Sequence, residues 1–70
     1  MEVYKAETRE IIRRFQTRRL NFPRCIAALD AALAGLIPRM PEGAIVELRS
    51  VMLANNDIVM SEMARRKRCV

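Results

Sequence analysis

Seventy residues with a net charge of +5 leave room for one domain and a thin core, since a chain this short buries only about 60% of the surface it exposes unfolded. The composition is 51% hydrophobic and 30% charged with two glycines and three prolines, which excludes a disordered tract. No uncharged run approaches the roughly 20 residues that cross a bilayer, and Glu2, Lys5, Glu7, Arg9 and Glu10 leave no space for a secretory apolar stretch.

The proline punctuation and the apolar spacing predict an all-α fold, a three-helix unit with helices over about residues 3–19, 22–37 and 41–66, assembled as a helical dimer. In the first helix Tyr4, Ile11, Ile12 and Phe15 share one side with Thr8. Lys5, Arg9 and Arg13 take the other side, and Glu10 stands four residues before Arg14. Pro23 pushes Phe22 toward an extended conformation, so the first helix stops before it. Asn21 is placed to cap the second helix, with Pro23 tolerated in the first turn.

The second helix carries Phe22, Ile26, Leu29, Leu33 and Leu36 at alternating four- and three-residue spacing, a coiled-coil-like seam. Around the seam lie Cys25, Ala27, Ala28, Ala31, Ala32 and Ala34, and between Pro23 and Pro38 only Arg24 and Asp30 are charged. A helix apolar nearly all round is expected to be buried nearly all round, with Leu29 and Leu33 in the core. Pro38 ends it, and Pro41 opens the third helix, with Glu42 at the positive end of the helix dipole.

The third helix has two apolar stripes. Ile45, Leu48, Met52, Val59 and Met63 form the main one, flanked by Val51 and Ile58, and Val46, Leu53 and Met60 recur at heptad spacing about 100° away around the wheel. One stripe serves an intramolecular core, so the second calls for a partner, most simply a second copy of the chain. The expected oligomer interface is therefore Val46, Leu53 and Met60, with Asn55 in the main arc as a polar group able to fix register. Met52, Met60 and Met63, with Met40 before the helix, add thioethers that suit either a gap-filled core or an adaptable contact surface.

Charge is unevenly spread. Residues 1–24 hold seven Lys and Arg against three Glu, residues 25–64 hold two against five acids, and a basic tail at 65–70 contributes four cations. In an up-down-up bundle the first and third helices run parallel, which gathers Arg18, Arg19, Arg24, Arg65, Arg66, Lys67 and Arg68 at one pole. Such a pole is a possible polyanion contact, nucleic acid included, although no stacking platform accompanies it and cations are favoured at helix C-termini in any case.

Chemistry has little to work with. The chain has no histidine and its two cysteines, Cys25 and Cys69, are far apart, so no metal ligand set, catalytic residue or cofactor is expected. Cys25 reads as an inert buried thiol. Asp30, the only acid on the apolar helix, reads as an exposed or Arg-paired aspartate and is the first candidate if Glu and Arg residues line a site between protomers. These residues point to a cytoplasmic, non-enzymatic module of one helical domain, residues 1–70, that self-associates and docks on another protein without a membrane. The alternatives are a nucleic-acid-binding or regulatory protein using the basic pole, and an accessory subunit or tiny enzyme.

Overall fold

The computed structural model describes residues 1–68 and consists of three α-helices: α1, Glu2–Gln16; α2, Phe22–Leu36; and α3, Ile45–Arg68. A short 3-10 turn, Ile37–Arg39, follows α2. Among the described residues there is no strand, and no helix is long and apolar enough to cross a membrane.

The ends of the helices follow from local chemistry. α1 stops at Gln16, three residues earlier than expected, in a Schellman arrangement: the Arg18 N–H donates to the Phe15 carbonyl (3.1 Å) and the Arg19 N–H to the Arg14 carbonyl (2.8 Å). Arg18 takes the left-handed conformation that closes this motif, with φ 64°. α2 starts as expected, the Asn21 side-chain oxygen accepting from the Arg24 N–H at 2.9 Å. α3 begins at Ile45 and not at Pro41, because Pro41 to Ala44 form a turn closed by the Ala44 N–H on the Pro41 carbonyl (3.2 Å), with Gly43 at φ 86°. Glu47, not Glu42, therefore lies in the first turn of α3.

The helices run up, down and up. Lys5 near the start of α1 pairs with Glu47 near the start of α3, and the Arg66 guanidinium near the end of α3 donates to the Phe15 carbonyl near the end of α1 (2.6 Å). α1 packs against both neighbours, whereas no Cα of α2 comes within 8 Å of a Cα of α3. The inward face of α1, Tyr4, Thr8, Ile12 and Phe15, supplies two small cores. Ile12 and Phe15 meet Cys25 and Val59 in one; Tyr4 meets Leu36 and Leu48 in the other. Phe15 and Phe22 add a tilted ring pair, centroids 6.3 Å apart.

Helix α2 departs from the sequence expectation. Only Cys25 and Leu36 are buried; Leu29 and Leu33 are half-buried, and Ala27, Ala31 and Ala34 are exposed. One 15-residue helix lies on the other side of it and α3 stands off, so a single chain has too little surface to enclose it.

Candidate interaction surfaces

The exposed apolar surface is concentrated on α3. Val46 is 76% exposed, Leu53 64% and Met60 45%, and they lie on one line at seven-residue spacing. Ile45 and Met52 are also exposed and widen the line into a face. Its middle is a shallow depression formed by Ile45, Leu48, Arg49, Met52, Leu53 and Asn56. Three of the four residues expected at an oligomer interface thus share one exposed face.

Asn55, the fourth, does not join them. It is half-buried on the inward side of α3, bordering both the cleft toward α1 and the groove toward α2. Its Nδ2 is closed off from solvent and has no acceptor among the described residues. Asn55 lines the cleft toward α1 together with the buried Thr8, whose hydroxyl donates to the Lys5 carbonyl (3.2 Å). The methionines divide too: Met52 and Met60 are exposed, while Met63 and Met40 pack against the cores.

Between α2 and α3 lies a groove of about 150 Å³, with Tyr4 of α1 between walls that include Ile26, Leu29, Leu33, Met52 and Val59. Burial raises the Tyr4 phenol pKa above its ordinary value. Asp30 stands at the rim, exposed and without an ion-pair partner among the described residues. Cys25 is fully enclosed, and burial pushes its thiol pKa up, away from the reactive thiolate. Cys69 lies outside the described residues.

Arg66 against Phe15 sets the end of α3 beside the end of α1, and the residues expected at the basic pole differ in their surroundings. α3 remains helical through Arg68, so residues 65–68 are its last turn; residues 69 and 70 of the expected tail lie outside the described ones. Arg66 is largely covered: its guanidinium stacks on the Phe15 ring, 4.4 Å from the centroid, donates to the Phe15 carbonyl and stands 3.5 Å from Glu62. Arg65 also pairs with Glu62, a carboxylate 8% exposed that the sequence expectation did not include. A signal for it exists: Glu62 falls on the same side of the wheel as Leu48 and Val59, with Arg65 and Arg66 three and four positions on. Arg18, Arg19, Arg24, Lys67 and Arg68 are exposed, and none has an acidic partner among the described residues.

At the opposite end, Lys5 bridges Glu2 and Glu47. The hydrogen bond and charge of Lys5 hold the Glu47 pKa below the usual carboxylate value, and Glu47 in turn raises that of Lys5.

No family model, curated protein or solved structure matches the chain.

Proposed function

We propose that the protein is a self-associating helical interaction module whose contact surface is the outer face of α3. The observation that carries this reading is the exposed line of Val46, Leu53 and Met60. Large aliphatic side chains in an ordered row, on a helix whose other face already serves the core, are what a helical partner buries. Surface area supports it. The chain exposes 5380 Å², against about 4,500 Å² for a compact monomer of its mass. The excess is close to the roughly 800 Å² that each partner buries in a standard interface. A second copy satisfies this need without any further component, and the thin cores described above gain from it.

Sedimentation at tens of micromolar is the test. The parent is expected to sediment as a dimer or larger, and Leu53→Glu to shift it toward the 8.1 kDa monomer by placing a charge in a desolvated contact. A parent that is monomeric under those conditions refutes the proposal. Equal assembly of parent and variant places the contact elsewhere.

A second reading is favoured by one observation: five exposed cations at one pole without acidic partners among the described residues. In this reading the module also holds a polyanion, and nucleic acid is the chemistry that presents a matching row of phosphates.

A further inference from the structure

Self-association alone does not say how two copies of α3 lie against each other; the charges on that face decide it. We infer that the copies pair antiparallel, centred on Leu53, with Arg49 of each opposite Asp57 of the other. The inference rests on the proposed self-association, and goes beyond it by fixing direction and register.

Leu53 lies midway between Val46 and Met60, seven residues from each. In an antiparallel pair of helices, residues at one level have position numbers with a constant sum. Centring on Leu53 sets Val46 against Met60 at both ends and Leu53 against itself, so every member of the row meets another apolar residue. The same register brings Arg49 to the level of Asp57, four residues either side of the centre. On the helix wheel these two flank Leu53 by about 40° on opposite sides, within reach of each other across a helix pair at ordinary spacing.

The structure makes both charges available. Arg49 and Asp57 are exposed, and neither pairs with another described residue. Arg49 also borders the depression around Leu53, beside the proposed contact. Two-fold symmetry forms the pair twice, on either side of the centre.

The parallel alternative brings like charges together. In register it faces Arg49 with Arg49 and sets the last turns of α3, Arg65, Arg66, Lys67 and Arg68, side by side. Antiparallel pairing instead sends those turns to opposite ends. Charge at the flanks of helical pairs sets orientation in this way.

Two measurements test the arrangement, both on the full chain. The first is a charge exchange read by sedimentation. Arg49→Glu and Asp57→Arg each set like charges opposite one another and are expected to weaken dimerisation about tenfold. The combined Arg49→Glu/Asp57→Arg chain restores the pairs with signs reversed and should return to within about threefold of the parent. The second is disulfide trapping with Cys69→Ser as background. Val46→Cys mixed with Met60→Cys should cross-link, and neither should cross-link alone, because a disulfide needs Cα atoms within about 7 Å.

Self cross-linking of Val46→Cys overturns the antiparallel pairing while leaving self-association intact. So does a dimer whose double exchange fails to recover, or one in which no pair cross-links. A monomeric parent removes the self-association reading first, and this arrangement with it.

Discussion

Arg18 occupies a position where glycine is the usual choice. A residue with a Cβ in the left-handed region carries roughly 1–2 kcal/mol of strain, and Arg18 holds φ 64° to close the end of α1. Replacing it with glycine removes that strain but adds freedom to the unfolded chain, worth about 0.5–1 kcal/mol. The expected net result of Arg18→Gly is a gain between zero and about 1.5 kcal/mol, a rise of several degrees in Tm at most. A fall in Tm would show that the arginine side chain contributes more than its backbone costs. The same residue explains why the end of α1 is misplaced from sequence: a Schellman motif is announced by glycine, and here arginine fills the glycine position. Asn21 is legible for the converse reason, being a preferred cap directly before a proline-started helix.

Among the elements, α1 is the most readable: of its expected stripe Tyr4, Thr8, Ile12 and Phe15 are buried between two partners, and Ile11 is half-buried at the edge of one core. α3 is readable in part: Leu48 and Val59 of its main stripe are buried, and Val46, Leu53 and Met60 lie outside. Ile45 and Met52, expected toward the core, are exposed with Ile58, because only the stretch packed on α1 and the two cores is covered. Its start is not readable, since Pro41 and Glu42 resemble the opening of a helix while Gly43, two residues on from Pro41, commits the chain to a turn. α2 misleads most. Its composition is that of an enclosed helix, but enclosure depends on how many neighbours the fold supplies, a property of the whole chain that composition does not encode. The Arg66–Phe15 bond is hidden for a related reason: it joins positions 51 residues apart through a backbone carbonyl, which carries no residue-type signal.

At the scale of the molecule, the parallel course of α1 and α3 brings the end of α3 beside the end of α1, where Arg66 serves the fold and Lys67 and Arg68 are exposed. Removing the whole last turn would take away Arg66 and with it the clamp on Phe15. Lys67→Gln with Arg68→Gln leaves that clamp in place. If the pole holds a polyanion, binding to a mixed DNA duplex should be measurable near 50 mM salt and fade toward physiological ionic strength. The double variant should then lower the slope of log affinity against log salt by about 0.9 for each phosphate that the two side chains no longer neutralise. Absence of binding by the parent at low salt would leave these cations as solvated charge.

The parallel pairing of α1 with α3 also has a cost in chain entropy. α1 meets α2 across a five-residue connection, residues 17–21, whereas the clamp that joins it to α3 closes a span of 51 residues. Closing a loop ten times longer costs about 2 kcal/mol more when the chain is unfolded. In the fold α3 rests on α1 with no Cα of α2 within 8 Å, so detachment of α3 breaks the least helix packing of any single-helix opening. Amide hydrogen exchange should find α3 less protected than α1, with the gap narrowing as protein concentration rises, because a bound copy holds the closed helix in place. Equal protection of the two helices at every concentration would mean that the fold opens only as a whole. The helix that carries the exposed apolar row is thus also the one expected to be held most lightly, and the proposed assembly would keep it shut.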